Sequence, residues 1–316
     1  GAGAYRVVEW DAGSRMELEA FNDFALGKPK IDRVTYKTVE DNNTNLAAVL
    51  AGEVDLCMRS TISFDGAMIL RDQWEKAGKG KVLISPASWT WLNLSRDNAL
   101  FSDVRVRQAL LHAIDRDAMV QNMFRGEKVV SDIPLSRVRK TYKKALSTVT
   151  LYKYDPERAK KLLAEAGWKA GSDGILTNAK GERMEFDFRV TAERRDHEQA
   201  QAIIADYWKK IGVRGNIKNL PNRLLNSADN RNRWPGAFIG SHNVTVEEWP
   251  ERFHSKNIPT AENKYAPENV SGWNDPKKDA ILDEINSIIP EARSEQLQLD
   301  FLKMFTEALP HLPLYY

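Results

Sequence analysis

The chain has 316 residues, 42% of them hydrophobic and 28% charged, with a formal net charge of +2. So small a net charge, without a basic tract interleaved with aromatic residues, gives no support to a nucleic-acid-binding protein. The apolar runs are far shorter than the roughly 20 residues of a membrane helix. The single cysteine, Cys57, excludes a disulfide framework or a zinc–cysteine cluster. Nine tryptophans are a high count, and some of them could line a binding cleft.

The first part of the chain is predicted to alternate between strands and helices. A hairpin turn is indicated by Asp11-Ala12-Gly13, and Gly52 marks a helix end. The predicted elements are strands at 5–10, 16–20 and 33–38, a helix at 43–51, a strand at 54–58, a helix at 64–77, and strands at 82–86 and 89–94.

A helix pair with clear start signals follows. Ser102 and Asp103 can accept hydrogen bonds from the first turn of one helix, and Asp115 can cap the next. The first helix has apolar residues at helical spacing, namely Val106, Ala109, Leu110 and Ala113. Farther on, Asp155 and Pro156 begin a helix that Gly167 ends. The remaining predictions are a helix at 197–211, strands at 213–218 and 236–243, and helices at 277–289 and 294–308.

Several strings resemble the family 5 extracellular solute-binding proteins, the dipeptide- and oligopeptide-binding receptors of ABC importers and their relatives. The first is F-x-D-x-R-V-R-Q-A-L-x-x-A-I-D-R at 101–116, preceded by the strand WTWLNLS. The second is YDPERAKKLLAEAGW at 154–168, and a third is the passage that ends in AGEVDL at 51–56. The strings occur in the family's order and cover nearly the whole chain.

The resemblance implies an α/β fold of the two-lobed periplasmic-binding-protein type II, peptide-binding-protein-like class. We expect residues 1–95 to be part of lobe one, 96–312 to form lobe two, and 313–316 to be a strand returning towards lobe one. GAGAYRVVEW resembles the middle of a family chain, and LPLYY resembles the place where the family chain crosses back and continues. The sequence is therefore expected to be a fragment without the N-terminal part and the C-terminal end, with lobe one only partly present.

Enzyme chemistry finds little support. The chain has neither a G-x-S-x-G nucleophile elbow nor a phosphate-binding G-x-x-x-x-G-K-[ST] loop. Its five histidines form no H-x-x-x-H pair of the zinc-protease type. We therefore expect no catalytic residue, no cofactor and no metal. An α/β hydrolase stays a less favoured alternative, since it would need a nucleophile and a base that converge.

A ligand cleft needs aromatic surface and a few directed polar groups. Trp89 and Trp91 share one face of a predicted strand, with Asn93 beyond them, and in relatives this segment borders the cleft. Packing of the two tryptophans in an interlobe core is an equally good interpretation. Trp273, in the string NVSGW, resembles a residue at the cleft mouth and could be an aromatic lid or a packing residue.

The segment 238–249 departs from the pattern of the peptide receptors. These commonly have a tryptophan and then an aspartate that pairs with the ligand's amino group, whereas this chain has Ser241, His242 and Asn243. A buried ammonium without a carboxylate would cost several kcal/mol, so a neutral, hydroxyl-rich or anionic ligand is favoured. The alternative is a shifted register in which Glu247 serves as the acid. Trp249 closes the segment as a further candidate.

A third candidate cluster precedes that strand. It consists of Arg233 and Trp234, with Arg223 and Arg231 nearby. These residues could bind a ligand carboxylate or phosphate, since an arginine can donate two parallel hydrogen bonds to such a group. Surface arginines in such a run are more often solvated.

The resemblance implies the substrate-binding component of an ABC transporter. It would capture a small ligand, such as a peptide, opine or oligosaccharide, between two lobes by hinge closure. Its expected partners are a membrane permease and ATPase subunits, not nucleic acid. We expect a monomer in the periplasm or another extracytoplasmic location. The alternative on the same fold is a ligand-sensing or chaperone-like binding protein.

Overall fold

The chain divides into two units, Gly1–Ile84 and Ser85–Tyr316. The computed structural model describes residues 3–39, 41–58, 61–84, 88–95, 98–192, 194–221, 224, 234–243 and 245–316. Each unit is described by itself below. In the described residues, no helix is both long enough and apolar enough to cross a membrane.

The first unit begins with an antiparallel three-stranded sheet in the order β1-β2-β3. Its strands are β1 (Tyr5–Asp11), β2 (Arg15–Ala20) and β3 (Arg33–Lys37). Gly13 has φ +85° in the turn between β1 and β2, a conformation that glycine adopts without a steric penalty. The predicted hairpin is thereby confirmed.

Two helices follow in the first unit, α1 (Asn42–Ala51) and α2 (Phe64–Leu70), and a π-helical turn at Arg71–Glu75 continues α2. The Asp41 carboxylate caps α1, and Gly52 ends it in the left-handed region. The predicted strand at 54–58 is wrong, because these residues are irregular and Leu56 is 76% exposed. A short apolar run does not become a strand without a neighbouring strand to pair with. The predicted strand at 82–86 is likewise irregular in its described residues, 82–84.

The second unit is built on a mixed five-stranded sheet with the order β10-β4-β9-β7-β8. Strand β4 runs antiparallel to both of its neighbours, and β7 runs parallel to both of its own. The strands are β4 (Ser88–Leu94), β7 (Glu185–Arg189), β8 (Arg214–Ile217), β9 (Ala237–Asn243) and β10 (His311–Tyr315), and β5 (Lys169–Ala170) and β6 (Leu176–Thr177) pair separately.

The whole of β4 lies in the second unit, because it pairs with β9 from Ser88 to Leu94. The predicted lobe boundary after residue 95 stays a prediction. Strand β10 pairs with the other edge of β4, so residues 313–315 also lie in this sheet.

Helices surround the sheet. They are α3 (Val104–His112), α4 (Arg116–Phe124), α5 (Tyr142–Leu146), α6 (Pro156–Glu165), α7 (Arg195–Lys209), α8 (Trp249–Phe253), α9 (Pro276–Ile285) and α10 (Glu291–Ala308). The side chains of Asp103, Asp115 and Asp155 accept first-turn N–H groups at the starts of α3, α4 and α6, as predicted. Such a cap contributes about 1 kcal/mol to stability.

The two faces of this sheet are both covered. Trp89 meets Phe305 of α10 at 5.9 Å between ring centroids, on the side that we call the aromatic face. On the opposite face, Trp208 of α7 packs on Phe188 at 5.1 Å and donates its Nε1–H to the Leu110 carbonyl oxygen at 3.0 Å. Burial on two sides explains the apolar run of β4, and the arrangement is a three-layer α/β sandwich.

Candidate functional site

The candidate site lies at one end of the second unit's sheet, where β4 begins and where β9 and β10 end. Because β4 is antiparallel to β9 and β10, its first residues lie beside their last residues: Ser88 is opposite Asn243, and Thr90 is opposite Tyr315. We call residues 88–90, 241–243 and 315 the rim. Side chains alternate along a strand, so the rim offers different groups on the two faces.

On the aromatic face, the two predicted tryptophans are packed into the core. Trp89 is 0% exposed, and its ring contacts His242 at 5.3 Å and His311 at 6.1 Å. Trp91 is 8% exposed and stacks on His311 at 4.3 Å. In this conformation both residues pack in the core, and their contact with a ligand stays a prediction.

A hydrogen bond ties this cluster to β9. The Nε1–H of Trp91 donates to Nδ1 of His242 at 2.7 Å, so this imidazole nitrogen carries no proton. Gly240 makes room for the indole, because a Cβ at this position would lie 2.7 Å from Cζ2 of Trp91. The Trp91 indole on the neighbouring strand therefore explains why position 240 of β9 is a glycine.

The two histidines of the cluster are held neutral. Burial lowers the pKa of His242 to about 2, with smaller contributions from Arg252 and His311. Burial also lowers the pKa of His311 to about 3, again with help from the Arg252 charge. At neutral pH the aromatic face therefore presents uncharged imidazole groups that can donate or accept a hydrogen bond.

The predicted trio of Ser241, His242 and Asn243 is divided by the pleat of β9. His242 belongs to the aromatic face, whereas Ser241 lies on the opposite face and accepts a hydrogen bond from Nη1 of Arg194 at 3.3 Å. Asn243 is exposed at the end of the strand. Strand alternation thus places the three candidate side chains in different positions, and their contact with a ligand stays a prediction.

The remaining candidates are placed differently. Trp249 is 2% exposed, donates its Nε1–H to the Pro134 carbonyl oxygen at 3.0 Å and stacks on Phe301 at 4.5 Å. It is a core residue with no surface for a ligand in this conformation. Trp273 is half-buried and packs edge-on against Phe253 at 6.4 Å.

Near the far end of β4, Asn93 lies opposite Phe238 and His311, and its Oδ1 atom is buried without a partner in the described residues. Trp234 is half-buried, with its ring against the Arg189 guanidinium. Arg223, Arg231 and Arg233 lie outside the described residues. The structure therefore places Asn93 and Trp234 away from the rim.

Glu247, the alternative acid for a ligand amine, forms an ion pair with Arg139 at 3.0 Å. It lies in a 3₁₀ turn at Val246–Glu248, and its side chain is 65% exposed. An exposed carboxylate that already has a cation partner is poorly suited to bind a second cation in a cleft.

The opposite face of the rim holds charged groups that the sequence did not indicate. The ammonium of Lys128 lies over the rings of Phe124 and Tyr315, at 4.3 Å and 5.0 Å from their centroids. Nη2 of Arg194 is 3.5 Å from Oδ2 of Asp196. Lys128 and Arg194 come from separate polar segments, so only the fold could bring them together. In the described residues, no group of three His, Cys, Asp or Glu side chains could hold a metal ion.

This architecture defines the class of protein: a type II periplasmic-binding-protein fold. The sequence model of the family described as "Bacterial extracellular solute-binding proteins, family 5 Middle" matches residues 1–253. The chain belongs to this family, as its strings indicated.

Three relatives illustrate the similarity. The "Oligopeptide-binding protein AppA" of Bacillus subtilis is 28% identical over 320 residues, which are 100% of this chain and 56% of that protein. The oligopeptide-binding protein of Thermus thermophilus, solved with a pentapeptide, has a TM-score of 0.80 at 26% identity, covering 99% of this chain and 56% of that one. NikZ of Campylobacter jejuni, solved with Ni(L-His), has a TM-score of 0.84 at 23% identity, covering 99% and 61%. The chain thus spans little more than half the length of these relatives.

Proposed function

We propose that the full-length protein is the substrate-binding component of an ABC importer. Its family membership supports this role, as do the oligopeptide-binding functions that the names of the Bacillus and Thermus relatives state. In this proposal the protein captures a small ligand between two lobes by hinge closure and delivers it to a membrane permease driven by ATPase subunits. It acts as a monomer in the periplasm or another extracytoplasmic location.

The lobes are proposed to follow the two units, with the division before β4. The first unit would then contribute to lobe one, and the second unit, including β10, would contribute to lobe two. Ligand closure needs rigid bodies joined by a few residues that absorb the motion.

The rim of the second unit is the structural observation that supports the proposed binding of a ligand. The rim presents the His242 imidazole on one face of the sheet, the Ser241 hydroxyl on the other face and the Asn243 amide at the end of β9. A ligand that lies across the strand ends would reach both faces, and the paired backbone limits the movement of these groups. The proposed ligand contacts are Trp91, Ser241, His242 and Asn243, with Asn93, Trp234 and Trp273 as outer contacts.

The proposed ligand is a peptide, opine or oligosaccharide-like molecule that does not depend on a carboxylate in the segment 240–243. This segment has no acid where the family's peptide receptors commonly have an aspartate, and Glu247 is engaged with Arg139. A free amino group would be bound weakly here, because a buried ammonium needs an anionic partner.

A thermal-shift screen of the full-length protein tests the proposal. Peptides, opines, oligosaccharides, nickel chelates and haem would each be titrated from micromolar to millimolar concentration. A ligand at 100 times its dissociation constant stabilises the folded state by about 2.7 kcal/mol, which gives a clear rise in melting temperature. If no class raises the melting temperature of a folded sample, the binding role is wrong.

Uptake separates transport from sensing. Deleting the gene should abolish uptake of the radiolabelled ligand, and restoring it should recover uptake. Unchanged uptake, together with intact binding in vitro, would instead favour a ligand sensor on the same fold.

A further inference from the structure

We propose that Lys128, Arg194 and the hydroxyl of Ser241 form a binding position for an anionic oxygen group of the ligand, a carboxylate or a phosphate. This inference rests on the proposed function and names the ligand's charge. Arg194 reaches Ser241 at the end of β9, and Lys128 lies over Tyr315 at the end of β10. Ser241 and Tyr315 both pair with Thr90 of β4 and lie on the opposite face of the rim. None of the three was associated with the other two by the sequence.

The Arg194 guanidinium is held at the end of β9 with donors to spare. Its Nη1 donates to Oγ of Ser241 at 3.3 Å, and its Nη2 is 3.5 Å from the Asp196 carboxylate. Both distances are at the long end of hydrogen bonding. A guanidinium has five N–H donors in a planar fork that matches an oxyanion, and this side chain is 45% exposed. An incoming carboxylate can therefore reach it.

Lys128 is a cation whose partners in the described residues are two ring faces. Its Nζ atom lies 4.3 Å from the centroid of Phe124 and 5.0 Å from that of Tyr315, and no described carboxylate lies within the 4.0 Å of an ion pair. Ring faces attract an ammonium through their negative π surface but supply no charge that would neutralise it. Burial lowers the pKa of Lys128, the Asp196 carboxylate opposes the decrease, and the Arg194 charge adds to it.

Among the described residues, Asp196 is the carboxylate whose charge acts on both Lys128 and Arg194. His197, next to it, contributes no charge at neutral pH, because burial lowers its pKa to about 4. In this part of the described structure two cations thus lie near one carboxylate, and a ligand anion would add a second negative charge.

There is room for such a ligand beside Lys128. An open cavity of about 460 Å³ is lined by Lys128, Gln121, Gly126 and Val129, among others. Small-molecule sites typically occupy about 300–1,000 Å³. The cavity adjoins β10, because Val130 forms a backbone bridge with Tyr315. Asp117 also lines the cavity and is exposed to solvent, and of the three proposed groups it is Lys128 that lines the cavity.

The test compares probes that differ only in charge, by calorimetric titration of the full-length protein. The pairs are N-acetyltrialanine against N-acetyltrialanine amide, which lack a free amino group, and glucose 6-phosphate against glucose, so that carboxylate and phosphate are examined separately. We expect the anionic member of at least one pair to bind at least about tenfold more tightly than its neutral counterpart. Raising the salt concentration should weaken the anionic member more, since salt screens charge pairs.

Three variants locate the effect. K128M keeps an apolar side chain between the two rings and R194Q keeps a polar one, and each should raise the dissociation constant of the anionic probe about tenfold or more. K303M removes a charge from the exposed surface of α10 and should change nothing. The melting temperature of each variant without ligand verifies that it is folded.

Other results overturn the inference. Equal binding of charged and neutral probes, or a dissociation constant in K128M within twofold of the wild type, refutes the anion position and leaves the proposed function standing. If only the neutral probes bind, the anion position is likewise refuted and the proposed function still stands. If no probe and no ligand of the wider screen binds, both proposals are wrong.

Discussion

An added methyl group at Gly240 probes how tightly β9 is packed against Trp91. A Cβ at position 240 would lie 2.7 Å from Cζ2 and 2.8 Å from Cη2 of the Trp91 ring, and 3.2 Å from Cε1 of Phe238. Carbon atoms in proteins pack at about 3.5–4.0 Å, so the indole has to move in G240A. The movement would carry Nε1 away from His242, to which it donates at 2.7 Å.

The expected cost follows from these two contacts. Overpacking a core costs about 1–3 kcal/mol, and losing the hydrogen bond costs about 0.5–1.5 kcal/mol more. We therefore expect G240A to lower the free energy of unfolding by about 2–4 kcal/mol. W91F removes both ring atoms that the methyl would strike, together with the N–H. The double variant should be about as stable as W91F alone, because the methyl enters space that the indole has left.

Urea unfolding of the full-length protein, followed by tryptophan fluorescence and circular dichroism, measures both effects. The decisive quantity is the coupling free energy between the two substitutions, which equals the G240A loss of about 2–4 kcal/mol if the double variant is as stable as W91F. Additive losses, or a G240A protein as stable as the wild type, would refute the packing of Gly240 against Trp91.

Three further predictions concern stability and binding. In the folded protein the pKa values of His197, His242 and His311 are lowered to about 4, 2 and 3. As the pH falls, these histidines therefore become protonated in the unfolded chain before they do so in the folded protein. Stability is complete above the unfolded pKa of about 6.5 and is lost as the pH falls below it, by about 1.4 kcal/mol per unit for each histidine. Urea midpoints between pH 6.5 and 4.5 should fall less steeply in H311Q than in the wild type. W249F leaves the Pro134 carbonyl oxygen without its donor, so its unfolding free energy should drop by about 1–3 kcal/mol, and an unchanged value would argue against the core placement. S241D introduces an acid beside Arg194, which should weaken binding of anionic probes about tenfold in calorimetry, whereas tighter binding would contradict the anion position.

Much of the fold could be predicted because the signals are local. Asp103, Asp115 and Asp155 each cap a helix through their own first turns, and Gly13 and Gly52 end elements through a backbone conformation that glycine favours. These interactions involve residues a few positions apart. The error at 54–58 has the opposite cause, since a strand needs a partner that lies elsewhere in the chain.

In the candidate site, too, local features could be predicted from the sequence and contacts between distant residues could not. The sequence by itself determined the family, the strands and the polar string at 241–243. Only the tertiary structure decided that His242 joins Trp91 on one face while Ser241 meets Arg194 on the other, and that Lys128 lies over Tyr315. Strand alternation assigns faces within β9, but the β4–β9 register and the packing of α7 select the partners. The strand register and the packing of α7 depend on which surfaces are buried together across the whole unit, and a local sequence pattern does not contain this information.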